Sequence, residues 1–331
     1  MLMLMLRVLF HCDAPSSVGR TARSLALAHA LAVRHGACCA ALAACPAAWS
    51  AWTAAELALL PAVSGGPAAR LAAAAAWRPD VVVVDLPQLD ADEVFRLAAL
   101  PWPVVLFDDD GQVPAATRFL VNSHPFARDF AYRERAPGTR LLRGLRYLAL
   151  PPRVVGRRPR RRPIAAIGQR MLVTLDGGAT LAVQRALTVL PAGVDLDLVL
   201  APHAGPVVLP PGRAVLLHDA PDDLAPLLLA ADLCMASDES TLYEAVYLGT
   251  PTLALPRSAR EMRIAAALAA RGAVLNLGLD ARSWTTTLGP VVRALLADAG
   301  RRRALSLAGR RLIDGRGAAR LADALVAELV A

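Results

Sequence analysis

Residues 237–256 read SDESTLYEAVYLGTPTLALP, and the order of residue types in this stretch decides the fold class. An apolar run, Leu233 to Ala236, leads into a short polar turn; a helical pattern follows, stops at Gly249, and gives way to a second apolar run, Thr252 to Leu255. Strand, helix and strand within so few residues make a βαβ unit. Both runs are continuously apolar, so both strands are buried on two faces, as in a parallel sheet covered by helices.

Working outward, the same cycle recurs along the chain. Toward the C-terminus, Val274 to Leu277 is a further strand and the stretch from Val291 onward reads as helix. Toward the N-terminus lie strands at Leu196 to Leu200 and Val215 to Leu217, a helix over Asp222 to Leu229, and Met171 to Leu175, which runs into Asp176-Gly177-Gly178 and a helix from about Thr180 to Leu190. An independent series fills the first half: Leu6 to Phe10, a helix over Arg23 to Arg34, a buried strand within residues 36–55, then Val81 to Val84, Val104 to Phe107 and Arg118 to Asn122. Between the series, residues 151–163 read PPRVVGRRPRRRP, with five Arg in six positions from Arg157 to Arg162 broken by Pro159. That composition reads as a solvated hinge. The expected organisation is therefore a first α/β domain over 1–150, a linker over 151–163 and a second α/β domain over 164–331, with ligands in a cleft at the strand ends.

Composition narrows the partners. The chain has 331 residues with 36 basic residues against 28 acids, a net charge of +8. Every basic residue is Arg, a bias that argues only weakly for an anionic partner. Aromatic residues make up 5% and do not interleave with the arginines, so nucleic acid is excluded as the expected partner. Five cysteines without a CxxC pair suit a reducing cytoplasm. Residues 36–55 carry no charge but include Pro46 and Ser50, so they read as strand and loop or helix rather than a membrane span. MLMLMLRVLF runs straight into a strand without the marks of a cleaved leader. Peripheral contact of the Arg-rich surface with the inner membrane face is the alternative to a freely cytoplasmic protein.

Candidate site residues lie where strands end. Ser240 or Thr241 is placed to cap the helix after Ala236, leaving first-turn N–H groups to receive a phosphate, and Glu244 lies one turn further on the same side, where a carboxylate can accept from a ribose diol. The competing reading is a capping box of Thr241 with Glu244 in an ordinary helix. Gly177 and Gly178 allow close backbone approach to a ligand, or form a structural turn; neither a Walker loop nor GxGxxG is present. His11 and Asp13 follow the first strand and can take a proton from a hydroxyl or water. Gly19 and Arg23 stand at the turn and first helix that follow. Asp108 to Asp110 read as a solvated turn rather than a metal site, and no metal is expected. His218 ends a strand with no partner evident in the sequence.

These features resemble the two-domain nucleotide-sugar enzymes of the GT-B type. The nearest look-alikes are the UDP-sugar hydrolases of pseudaminic acid synthesis and the spore-coat polysaccharide proteins; the lipid-II-forming N-acetylglucosaminyltransferase is more distant. The resemblance covers about residues 6–278. Asp13 to Ser24 looks like the family's first loop and helix, Val81 to Asp85 and Val104 to Asp109 like its next strands, and Phe119 to Asn122 like the segment carrying its Asn. Leu141 to Leu150 looks like the end of its first domain, Leu172 to Gly178 like its Gly-Gly turn, and Ser240, Thr241 and Glu244 match its ST-x-x-E.

By resemblance the fold is two Rossmann-like parallel-sheet domains facing across a cleft, with the last helix crossing back to the first domain. Gly178 and the Ser240-Thr241 helix start would contact a diphosphate, Glu244 the ribose and the residues near His218 the uracil; Asn122 lies on the acceptor or sugar side. The family's Gly-x-Gly-His-x-x-Arg loop is two residues shorter here: Arg23 matches its Arg, and nothing matches its His. The implied activity is glycosyl transfer with inversion from a UDP-sugar to a sugar, lipid-linked or small-molecule acceptor, in surface polysaccharide or glycan synthesis. Asp13 or His11 would be the base, Arg23 would help the leaving diphosphate, and no cofactor is needed beyond the donor. The alternatives are a UDP-sugar hydrolase with an altered loop, and a nucleotide-sugar-binding accessory protein without catalysis.

Overall fold

The computed structural model describes residues 5–12, 18–42, 52–53, 55, 57–61, 65–132, 135–174, 184, 187–200, 214–219, 221, 223–279 and 284–329. Its chain divides into two compact units, Met1–Pro152 with Gly315–Ala331, and Arg153–Asp314.

The first unit is built on seven parallel strands: β1 (Arg7–Cys12), β2 (Cys38–Leu42), β3 (Ala58–Leu60), β4 (Val81–Asp85), β5 (Val104–Phe107), β6 (Phe119–Asn122) and β7 (Arg140–Arg143). They lie in the order β3-β2-β1-β4-β5-β6-β7, with Val8 opposite Val81 and Cys12 opposite Asp85. The valines of β4 show why the sheet is parallel and central: all four have no exposed surface. Each such side chain contributes roughly 1.5–3 kcal/mol by leaving water. α1 (Val18–His35) returns the chain from β1 to β2, and α2 (Pro67–Ala73) and α3 (Ala91–Ala98) flank the later strands. The sequence places the start of α1 at Arg23; the helix begins at Val18, so Gly19 belongs to its first turn rather than to a preceding turn.

The last helix of the chain also belongs to this unit. Leu321, Ala322 and Leu325 pack into the core beside α1 residues Leu27 and Leu31. Arg34 and His35 both reach Asp323, at 2.8 and 2.9 Å. Gly317 is required at its start, because a Cβ there would stand 2.0 Å from the Leu148 carbonyl oxygen.

In the second unit the parallel order is β10-β9-β8-β11-β12-β13, for β8 (Arg170–Thr174), β9 (Asp195–Leu200), β10 (Val215–Asp219), β11 (Leu233–Ala236), β12 (Thr252–Ala254) and β13 (Leu275–Asn276). Its helices are α4 (Pro152–Arg157), α5 (Ala225–Ala230), α6 (Glu239–Leu248), α7 (Ala259–Ala269), α8 (Trp284–Ala297) and α9 (Ala299–Leu312), and the chain's last helix is α10 (Gly317–Leu329). Gly249 ends α6 as expected, at φ +79°, a conformation glycine adopts without strain. The capping box does form, but at Ser258 and Glu261, which open α7. In both sheets the strand order reverses once, between β1 and β4 and between β8 and β11. Strand carboxyl ends at such a reversal are where open α/β sheets leave room for ligands.

The Arg-rich stretch departs from the solvated hinge expected of it. Residues 152–157 are helical, Arg158 donates to the carbonyls of Ile313 (2.8 Å) and Arg310 (2.6 Å), and Arg162 donates to Leu228 (3.1 Å) and Ala231. Those oxygens lie at the C-terminal ends of α9 and α5. Guanidinium forks satisfy carbonyls that a helix leaves unbonded there, and their charge opposes the helix dipole.

Candidate functional site

In the first unit the reversal point holds a buried ionic cluster. Arg20 and Arg23 stand three residues apart on α1, hence on one face. The Arg23 guanidinium forks onto Asp85 at the end of β4, with two bonds of 2.6 Å, and onto Asp109 just after β5, at 2.7 and 3.0 Å. Arg20 approaches the same two carboxylates at 3.8 and 3.5 Å. His124, beyond the end of β6, places Nε2 3.3 Å from Asp109 and stacks on Phe126. Burial opposes the charge on Arg23, but Asp109 and Asp85 outweigh it and hold the guanidinium protonated beyond its ordinary range. Burial likewise opposes ionisation of Asp109; Arg23 and then His124 overcome it, and the carboxyl lies well below the usual range. Two acids and two guanidiniums thus balance within one fold element cluster.

A second chain of hydrogen bonds lies beside it. Asn122 donates from Nδ2 to the Tyr132 hydroxyl at 2.9 Å and accepts from the His124 N–H at 3.1 Å. Asp108 accepts from the Gly111 N–H at 2.9 Å, and burial raises its carboxyl above the ordinary value against the Tyr132 hydrogen bond. Asp108 and Asp109 are therefore buried anchors, and the solvated turn expected of them is corrected. β4 lies beside β1 and β5 beside β4, so acids at the carboxyl ends of β4 and β5 meet the N-terminal half of α1, the helix that follows β1. Among the described residues no group of three or more His, Cys, Asp or Glu is arranged to hold a metal ion.

The structure brings Arg23 and Asn122 near one another through Asp109 and His124, and uses both to organise the strand ends. Four of the five Arg23 N–H groups already meet carboxylates, so its place is that of a positioning residue. His11 is buried on β1, opposite Leu42 and Val84. Asp13, Gly177 and Gly178 lie outside the described residues. Asp85 and His124 were missed as site residues; the signal available for them was position alone, a polar side chain at the carboxyl end of a continuous apolar strand.

The second unit treats its reversal point differently. Asp238, not Ser240 or Thr241, caps α6: its extended backbone turns the carboxylate onto the Thr241 N–H at 2.8 Å and it also accepts from the Ser240 hydroxyl at 2.8 Å. An acid reaches the N3 amide from that position and gains from the helix dipole, which displaces the hydroxyl cap. Ser240 is exposed and Thr241 buried in the first turn, and the Thr241–Glu244 box does not form. The α6 helix is buried from Thr241 to Leu248, and Glu244 goes in with it at 8% exposure. Among the described residues no hydrogen bond reaches its carboxylate. Burial pushes its pKa up to about 7, with Asp238 and Asp223 adding to the rise and Arg153 opposing it. Its side chain is thus a largely buried carboxylate with no hydrogen bond among the described residues.

Further along the same sheet, His218 on β10 places Nε2 2.8 Å from Asp197 on β9. Arg170 on β8 donates to the same carboxylate at 2.6 and 3.1 Å. These three strands are neighbours, and the side chains share a face, so His218 does have a partner. Burial works against ionisation of Asp197, yet Arg170 and His218 hold it below the ordinary carboxyl range.

No protein-family model matches the sequence. A stretch of 100 residues is 32% identical to the spore coat polysaccharide biosynthesis protein SpsG of Bacillus subtilis (strain 168), spanning 30% of this chain and 30% of that protein. Solved structures match over nearly the whole length. The glycotransferase of kitacinnamycin superposes with a TM-score of 0.70 at 18% identity, covering 98% of this chain and 99% of that one. The spinosyn rhamnosyltransferase SpnG complexed with thymidine diphosphate superposes with a TM-score of 0.64 at 19% identity, covering 98% and 100%. Two parallel α/β units with this strand order, matched from end to end by such neighbours, give the chain the GT-B glycosyltransferase fold.

Proposed function

We propose that this protein is a glycosyltransferase that moves a sugar from a UDP-sugar to an acceptor hydroxyl with inversion, in surface polysaccharide or glycan synthesis. The observation that carries the reading is Glu244: a carboxylate buried at the reversal point of the second sheet, raised in pKa by that burial, with no hydrogen bond among the described residues. A buried acceptor without a donor is costly for a fold and useful to a ligand that brings hydroxyls. A ribose diol has the right pair of donors. The exposed first turn of α6 at Ser240 offers a backbone N–H to the diphosphate. Gly177, Gly178 and His218 complete the nucleotide side of the proposal, and Asn122 lies on the acceptor side.

The step is a single displacement. The acceptor oxygen bonds to the anomeric carbon as the bond from that carbon to the diphosphate oxygen breaks, which inverts the centre. The acceptor's proton passes to a base, assigned to Asp13 at the end of the first strand, since His11 is enclosed within β1. The leaving diphosphate carries its new charge to the α6 amides. Arg23 does not join it, because Asp85 and Asp109 already take up its charge. Support for a nucleotide diphosphate comes from the SpnG neighbour, solved with thymidine diphosphate, and for polysaccharide from the name of SpsG.

Calorimetric titration with UDP tests the binding half. Glu244→Gln is expected to weaken UDP by roughly 10- to 100-fold, the loss of hydrogen bonds to a charged acceptor; unchanged affinity overturns the reading. Incubation with UDP-N-acetylhexosamines tests the chemistry: acceptor-dependent UDP release supports transfer, release without acceptor moves the assignment to hydrolysis, and binding without turnover to an accessory protein.

A further inference from the structure

Residues 159–165 pack against α9. Arg310 donates to the carbonyls of Pro159 (2.6 Å) and Arg160 (3.0 Å), and Arg302, buried in α9, donates to the Ala165 carbonyl at 2.6 Å. These contacts, about 12 Å apart along the helix axis, lay residues 159–165 against α9 in the opposite direction. The outer face of α9 carries Arg303, Leu307 and Arg311 at four-residue spacing, all exposed. Beside them Arg160 and Arg161 are exposed in the docked segment. Residues 152–169 contain six Arg and α9 five, and neither contains an acid. The nearby carboxylates are Asp298, which caps α9 through the Arg301 N–H, Asp314 past its other end, Asp232, which accepts from the Gln169 N–H at 2.8 Å, and Asp223, 2.9 Å from Arg157. Among the described residues none of Arg160, Arg161, Arg303 and Arg311 has an ion-pair partner.

Two apolar side chains stand out of this cationic field, Leu307 at 47% and Ile167 at 67% exposure. No aromatic residue occurs in either segment. Guanidiniums around protruding aliphatic side chains match a surface of anionic headgroups over acyl chains, and the lack of stacking rings is a poor match for single-stranded nucleic acid. We infer that the strip formed by Arg160, Arg161, Arg303, Leu307 and Arg311 docks the protein on an anionic lipid surface.

Cosedimentation of the full chain with phosphatidylcholine vesicles, with and without phosphatidylglycerol, tests this. The parent is expected to partition to the anionic vesicles only, and to be released by salt. Changing Arg160, Arg161, Arg303 and Arg311 to Gln is expected to weaken partitioning about fivefold per arginine, equivalent to about 1 kcal/mol each; Leu307→Ser weakens it further. Changing Arg78, Arg96, Arg128 and Arg146 to Gln, exposed side chains of the first unit, removes the same charge and is expected to leave most of the partitioning. Thermal melts confirm that each variant is folded, and the single changes Arg303→Gln and Arg311→Gln stand in if the fourfold variant is not. Equal loss in both fourfold variants, no partitioning of the parent, or binding of RNA by the strip without binding of vesicles overturns the inference.

Discussion

The two sheets reverse their strand order at the same place and handle buried charge there in opposite ways. In the first unit the Asp85 and Asp109 carboxylates at the reversal are answered from within the protein: Arg23 forks across both, and His124 closes on Asp109. In the second unit the Glu244 carboxylate is largely buried with no hydrogen bond among the described residues, and its pKa rises to about 7. The same strand-order reversal therefore yields one point stiffened by its own ions and one left with acceptors to spare. The difference teaches that a strand-order reversal supplies only the location of a site. Whether it binds anything depends on how its polar groups are satisfied.

Breaking the balance in the first unit has the largest expected effect. Arg23→Leu leaves Asp85 and Asp109 buried without their shared cation and is expected to cost about 3–5 kcal/mol in urea unfolding. If the midpoint stays within experimental error of the parent, the cluster does not anchor the strand ends. Replacing both acids by Asn in the same variant is expected to recover much of the loss.

Acid and base pull the two reversal points apart. The folded pKa of Glu244 lies above its unfolded value of about 4.3, so its contribution to stability is fully present below that value and lost as pH rises toward 7. Asp109 has a depressed folded pKa; its contribution is present above about 3.9 and lost as pH falls. Between about pH 4.5 and 7 the parent should lose stability on the order of 3 kcal/mol through Glu244, and Glu244→Gln should flatten that slope. Superimposable stability–pH curves for parent and variant would contradict the buried carboxyl.

A smaller effect sharpens the comparison at the α6 cap. Asp238→Asn keeps a side-chain acceptor for the Thr241 N–H and removes a negative charge from the proposed diphosphate position. Stability should change by less than about 1 kcal/mol while UDP affinity rises roughly threefold. Weaker UDP binding in a variant that melts normally would place the diphosphate elsewhere.

Much of the architecture was legible along the chain, because apolar runs and helix stops are local patterns. β4, β5 and β11 fall within a residue of where their valines and leucines put them, and Gly249 ends α6. The site was legible only in part. Glu244 could be picked out by its place after a strand, but the competition between Ser240, Thr241 and Asp238 for the cap could not be decided without the backbone angles at 238. His124 and Asp85 carry no local signature, and Arg158 and Arg162 look solvated until the ends of α9 and α5 lie beside them.

The sequence by itself thus determined that the chain forms two series of buried parallel strands joined by helices, since burial on both faces requires continuous apolar runs and the runs are there to be read. Only the tertiary structure decided which charges cancel: Arg23, Asp85 and Asp109 are 62 and 86 residues apart in sequence, and strand order and crossover, not spacing, bring them within hydrogen-bonding distance while leaving Glu244 unmatched among the described residues.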